Sequence, residues 1–147
     1  MKTTKRFENA IMKLYKAFHE NELNAFDCSA CAVGNICDNN WQWAHIRILN
    51  TYTHSVIDKH NKDYKLGINV IKNSNYSVTE IIKIENLFLS YFKEDRSDAG
   101  DKELQFKGVC AVVEYLAKLD NIPNPMDYSK LFETQNDKPI YELKEVF

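Results

Sequence analysis

The sequence predicts an all-α protein: a single compact bundle of about four to five helices with one long polar connection. Three observations carry that expectation. Apolar residues recur at helical spacing in several separate segments. Glycine and proline are scarce, at 4 and 3 of 147 residues. A serine–glutamate capping box opens one of the apolar segments.

The first helix is expected from about Thr4 to Leu23, where Phe7, Ala10, Ile11, Leu14, Ala17 and Phe18 make one stripe. A polar stretch, Asn21 to Asp27, ends it. The next segment, Cys28 to Cys37, reads as irregular, with Gly34 and Asn35 suited to a left-handed turn. A second helix is expected after the cap-like Asn39-Asn40 and runs to about Ile57, with Trp41, Ala44, Ile48, Leu49 and Tyr52 on its apolar face. Lys59 to Tyr76 lacks a sustained period and reads as the long connection, with a turn of helix or a short strand at Leu66 to Ile71.

Ser77-Val-Thr-Glu80 is the capping box. Behind it, Val78, Ile81, Ile82, Phe88, Leu89 and Phe92 form one stripe, and Ile84, Leu87 and Tyr91 a second, which marks a central helix. After a charged loop, a fourth long helix is expected from about Glu103 to Leu119, with Phe106, Val109, Cys110, Val113, Leu116 and Ala117 on its face. Pro123 and Pro125 break the chain, a short helix fits Met126 to Glu133, and the tail ends in Val146 and Phe147, able to dock on the body. No repeat or linker divides residues 1 to 147, so one domain is expected.

Composition narrows the function. The chain is 44% hydrophobic and 27% charged, which excludes disorder and low-complexity tethers. A net charge of −2 and a pI of about 6.1 give no positive field for nucleic acid. No apolar run reaches the roughly 18 residues of a membrane helix, and Glu8 and Lys13 stand where a signal peptide needs an apolar core. The expectation is a cytoplasmic protein with no membrane insertion and reduced cysteines.

The four cysteines are the main chemical signal. Cys28 and Cys31 form a C-x-x-C pair, Cys37 follows five residues later, and Cys110 sits on the fourth long helix. Four thiolates can hold zinc in a tetrahedral site or an iron–sulfur cluster, and His19 can replace one of them as an imidazole ligand. The candidate metal ligands are therefore Cys28, Cys31, Cys37, Cys110 and His19. The competing reading is buried thiols that only pack. A redox dithiol is a third, although its usual βαβ setting is missing from the pattern.

Glu85 falls on the buried stripe and needs a partner there, as an ion pair, a metal ligand or an acid/base group. Carboxylate-bridged di-iron bundles need paired Glu-x-x-His motifs, which the sequence lacks. His45, His54 and His60 have no nucleophile placed beside them by motif. Asp95 to Asp101 fails as a calcium loop, because registering Gly100 puts Ala99 at a ligand position and Phe106 at the place of the bidentate glutamate. No phosphate-binding loop, dinucleotide fingerprint or nucleophile elbow occurs.

Taken in order, Cys28-x-x-Cys31-Ala-Val-Gly-Asn35, Tyr76-Ser77, Ile84-Glu85, Phe88-Leu89, Gly108-Val-Cys110-Ala-Val-Val-Glu114, Lys118-Leu-Asp-Asn121, Met126-Asp127, Ser129-Lys-Leu-Phe132 and Glu145-Val-Phe147 resemble a group of small flavobacterial (Bacteroidota) proteins. That group goes by the name of the FAD- and NADH-binding component of the Na(+)-translocating NADH-quinone reductase. The name implies electron transfer through a [2Fe–2S] cluster, FAD and NADH, held in a ferredoxin-like domain and in flavin and nucleotide domains behind a membrane helix. This chain departs from that plan: it has no spanning run, is too short for the flavin and nucleotide domains, and orders its cysteines C-x-x-C-x5-C where the reductase component has C-x5-C-x-x-C. Within the group, matches to Cys28, Cys31 and Cys110 are kept more readily than to Cys37, which leaves Cys37 and His19 as rivals for a fourth ligand.

Three functions follow as expectations. One is a metal-binding helical protein. The alternative is a metal-free protein–protein interaction module or homo-oligomer, with Trp43, off the Trp41 stripe, as a contact. An enzyme using Glu85 with a histidine ranks last.

Overall fold

The structure is a computed structural model, and it describes residues 3–46 and 62–147. The all-α expectation holds: helices pack around one core, and the only strands among the described residues are two of two residues each.

Helix α1 spans Lys5–His19. Thr4 caps it by accepting the Phe7 amide on its hydroxyl, and the stripe read from the sequence is the stripe buried: Phe7, Ala10, Ile11, Leu14, Ala17 and Phe18. It stops because Asn21 turns left-handed at φ 59°. Asn39, Asn75 and Asn121 take the same conformation beyond the helices that end at Ile36, Lys72 and Leu119. Asparagine thus does at these helix ends what glycine commonly does, and none of the glycines has positive φ.

Helix α2, Ala32–Ile36, replaces the irregular stretch and the Gly34-Asn35 turn expected from sequence. The left-handed positions lie beyond it, at Asp38 and Asn39. Gly34 is needed for closeness instead of for handedness: a Cβ there would stand 2.4 Å from the Cys28 carbonyl oxygen.

A 3-10 turn, Trp41–Trp43, continues as helix through Ile46. The expected second helix begins here, and its remainder to Ile57 lies outside the described residues. Its face is corrected: Trp43 is fully buried and Trp41 is 55% exposed, the reverse of the sequence reading. Asn40 caps the tight turn through the Gln42 amide, and this start rotates Trp43 inward.

Helix α3, Lys62–Lys72, corrects the long connection. It buries only a narrow strip of Gly67, Val70 and Ile71, packed against the Trp41–Trp43 turn. Helix α4, Val78–Leu89, has the capping box intact: the Ser77 hydroxyl accepts the Glu80 amide at 3.1 Å and the Glu80 carboxylate accepts the Ser77 amide at 2.8 Å. Its buried face, Ile81, Ile84, Glu85 and Phe88, joins residues that the sequence divided between two stripes.

Helix α5, Lys102–Leu119, is the longest among the described residues and packs on both α1 and α4. Gly108 lets α4 approach, since a Cβ there would lie 2.7 Å from the Phe88 ring. Helix α6, Met126–Ser129, runs into a 3-10 turn, Lys130–Phe132, which seats Leu131 and Phe132 in the core. A hairpin follows, β1 (Thr134–Gln135) with β2 (Lys138–Pro139), turned by left-handed Asn136 and Asp137. The tail docks as expected: the Tyr15 hydroxyl donates to the Tyr141 carbonyl at 3.1 Å, and Phe147 meets Tyr128 at 5.7 Å between ring centroids.

One polar knot ties three elements. Arg6 on α1 holds the carboxylate of Asp120, the C-cap of α5, through both Nε and Nη2, and donates to the Asn75 carbonyl at 2.8 Å. The guanidinium also lies 4.5 Å above the Tyr76 ring. The hydrogen bond from Arg6 holds the Asp120 carboxyl below the ordinary carboxylate range. Its contribution to stability is therefore complete above the ordinary carboxylate pKa and disappears as pH falls through the lowered value. Asp120→Asn should cost about 1–2 kcal/mol at neutral pH, between exposed and buried ion pairs. Urea midpoints should show that gap closing on acidification below about pH 4; a gap independent of pH would refute the assignment.

Candidate functional site

The cysteine segment is built from short turns. The Asp27 carbonyl accepts the amides of both Ala30 and Cys31, at 2.9 and 2.8 Å, which closes one helical turn between Cys28 and Cys31. Cys31 is the N-cap of α2, and its sulfur accepts the Gly34 amide at 3.3 Å. The Cys28 carbonyl accepts the Trp43 indole N–H at 2.7 Å, and Asn35 donates its side-chain amide to the carbonyls of Ala30 and Cys31. The two cysteines thus stand on one pinned turn. Cys28 is half-buried and Cys31 is 2% exposed.

The other nominated residues stand elsewhere. Cys37 is the C-cap of α2, beside Lys13, whose ammonium donates to the Ile36 carbonyl and pairs with Asp38 at 2.8 Å. Cys110 sits at the edge of the buried face of α5, hydrogen-bonded to the Ser129 side chain. His19 donates Nε2–H to the Leu131 carbonyl at 2.7 Å and stacks on Phe132. Its buried Nδ1 finds no donor among the described residues. The structure thus brings Cys28 and Cys31 together and leaves Cys37, Cys110 and His19 apart from them. Among the described residues no group of three or more His, Cys, Asp or Glu side chains is arranged to hold a metal ion.

The chemistry of these groups follows from burial. Loss of solvent pushes the Cys31 and Cys37 thiols up to about 12 each, and Cys110 upward as well. The nearby Glu85 carboxyl raises Cys31 further, against the lowering effect of the Gly34 amide hydrogen bond. These are protonated thiols at neutral pH and weak nucleophiles as they stand. Burial lowers the His19 pKa, which keeps the imidazole neutral. Glu85 is buried on α4 as its stripe position implied. His45 packs edge-on against Trp41 at 5.2 Å, and His54 and His60 lie outside the described residues.

Sequence reasoning missed two apolar depressions beside α5. A groove of about 490 Å3 runs between α5 and α6, with Phe106, Cys110 and Ala111 on one wall and Pro125 and Met126 on the other. Tyr91 closes one end. A second depression of about 500 Å3, floored by Phe18, Phe106, Phe132 and Ile140, shares Phe106 and Glu133 with it. Together they make one trough along α5. Met126 is 76% exposed and Tyr91 40%. The signal available in sequence was the offset of Phe106 and Cys110 to one side of the Val109–Val113–Leu116 stripe, which leaves an apolar edge uncovered.

The rim carries Glu103, Glu114, Glu133 and Asp137 against Lys102, Lys107 and Lys130, an excess of one negative charge. Lys107 pairs with Glu103 at 3.7 Å, and Lys130 lies 5.1 Å from the Tyr141 ring. The Lys102 ammonium turns to the Phe18 carbonyl, the Phe18 ring and the Asn21 side chain. No ion pair within 4 Å engages Glu114, Glu133 or Asp137 among the described residues.

Among the described residues no helix is long and apolar enough to cross a membrane. Comparison with family models, with curated proteins and with solved structures gives no match for this chain.

Proposed function

We propose that this chain is a protein–protein interaction module that receives a basic amphipathic segment of its partner in the trough along α5. The observation that carries the reading is the trough itself: depressions of about 490 and 500 Å3 that share Phe106 and Glu133, over an apolar floor and beside an exposed methionine and tyrosine. Contiguous exposed apolar surface of this kind marks interaction sites in soluble proteins. An aliphatic or aromatic anchor would seat on Phe106, Cys110 and Met126, and Lys or Arg side chains beside it would meet Glu114, Glu133 and Asp137. In this reading the Cys37 thiol and the His19 ring serve packing, and Cys110 lines the trough.

Two synthetic helical peptides test it, with the same leucine face and either lysines or glutamates on the polar face. By fluorescence anisotropy the lysine peptide should bind at least about tenfold tighter, and raised salt should narrow the difference. Ala111→Arg places a cation and bulk in the groove without touching the core, and should remove most of that binding while leaving the melting temperature near wild type. Equal affinity for both peptides, or binding indifferent to Ala111→Arg, would sink the proposal.

A further inference from the structure

The Cys28–Cys31 turn lies outside the trough and has a chemistry of its own. We propose that Cys28 and Cys31 are a thiol–disulfide exchange site that closes to a disulfide across its turn on reaction with small-molecule disulfides of the glutathione type.

Three observations support this. The shared acceptor at the Asp27 carbonyl folds residues 28 to 31 into one helical turn, which sets their Cα atoms about 5 Å apart, inside the Cα range of disulfides. The Cys31 sulfur lies 3.8 Å from the Cys28 carbonyl oxygen, so the buried thiol reaches back over the turn toward its neighbour. The pair is also unequal: Cys28 is half-buried and reachable from solvent, and Cys31 is 2% exposed. An accessible thiol that attacks first and a shielded one that resolves is the arrangement stepwise exchange requires. Cys37 and Cys110 offer no such pairing, being at the far end of α2 and on α5.

The steps balance. The Cys28 thiolate attacks one sulfur of glutathione disulfide, a Cys28–glutathione bond forms, and glutathione thiolate leaves. The Cys31 sulfur then attacks the Cys28 sulfur, and a second glutathione thiolate departs. The protons of the two cysteines end on the two departing thiolates. Two cysteine thiols are oxidised, and one glutathione disulfide is reduced to two glutathione molecules. Trp43 reports the change, because its indole N–H is bonded to the carbonyl of Cys28 itself.

The test uses the full chain, reduced and then equilibrated with glutathione buffers of increasing disulfide fraction, alkylated and mapped by mass spectrometry. Cys28 and Cys31 should escape alkylation together, with no glutathione retained, while Cys37 and Cys110 stay alkylatable after unfolding. In Trp41→Phe, the remaining tryptophan emission should shift along the same titration. Cys31→Ser should trap glutathione on Cys28 at about tenfold or more the wild-type level, because the resolving thiol is gone. The wild-type measurement decides alone if that variant folds poorly. Glutathione retained on wild-type Cys28, a disulfide to Cys37 or Cys110, no oxidation at all, or thiols that react only after a chelator strips a metal would each overturn the proposal.

Discussion

Trp43→Ala should lower the unfolding free energy by about 3–5 kcal/mol, as removal of a fully buried large aromatic does. The indole has no exposed surface and packs in the single core cluster. It also donates to the Cys28 carbonyl at 2.7 Å, so truncation both opens a cavity and removes that part-buried hydrogen bond. Trp43→Phe separates the two effects. It keeps most of the ring volume, drops the donor, and should cost about 1–3 kcal/mol. Trp41→Ala, more than half exposed, should stay within about 1 kcal/mol of wild type. Urea unfolding followed by far-UV circular dichroism ranks the three. If Trp41→Ala proves the costlier change, the burial assigned to the two tryptophans is inverted.

That inversion is the one the sequence itself invites, and it shows what periodicity can and cannot carry. On α1 the apolar stripe is complete and the capped start is local, so both the helix and its buried face can be read directly. On α4 the capping box fixes the first residue independently of any packing. The tryptophan segment starts with a 3-10 turn, which has three residues per turn, and a stripe projected at 3.6 from Trp41 places the wrong ring inside. Helix α3 was hidden for a different reason. Tyr64, Leu66, Ile68 and Val70 alternate at strand spacing around Gly67, so no helical stripe stands out, and the helix packs on the Trp41–Trp43 turn and α4.

The cysteines show the same limit at the level of the site. Spacing along the chain allows Cys28 and Cys31 to share one turn, and the bonds to the Asp27 carbonyl fold that turn. It says nothing about Cys37, which the intervening helix carries to the opposite end of α2, or Cys110, whose side chain a rotation of α5 turns toward Ser129 and the trough. Glu85 was legible as buried because its position on the stripe decides that alone. The trough was legible only as the sideways offset of Phe106 and Cys110 on α5; which neighbour leaves that edge uncovered is decided by packing between elements, and such a gap leaves no period in either.

Gly34→Ala should cost about 2–4 kcal/mol, against the direction of helix propensity. Gly34 sits inside α2 with ordinary helical backbone, where alanine is favoured by about 1 kcal/mol when nothing else intervenes. Here the added Cβ would meet the Cys28 carbonyl oxygen at 2.4 Å and the Ser29 carbonyl carbon and oxygen at 2.6 and 2.8 Å. All three are backbone atoms, and none can swing aside as a side chain would. The Cys28 carbonyl is held by Trp43, and the Ser29 carbonyl accepts from the Asn39 side chain at 2.9 Å. Relief therefore means lifting the whole Cys28–Cys31 turn off α2, which breaks those bonds and the Gly34 amide bond to the Cys31 sulfur. Gly100→Ala, where a Cβ meets nothing within 4 Å, is the control and should change stability by no more than about 0.5 kcal/mol. Because Gly34→Ala and Trp43→Phe both act on the Cys28 carbonyl, the double variant should lose less than the sum of the two. Additive losses would mean that the turn is held independently by each contact, and a stabilising Gly34→Ala would mean that it is not packed against α2 at all.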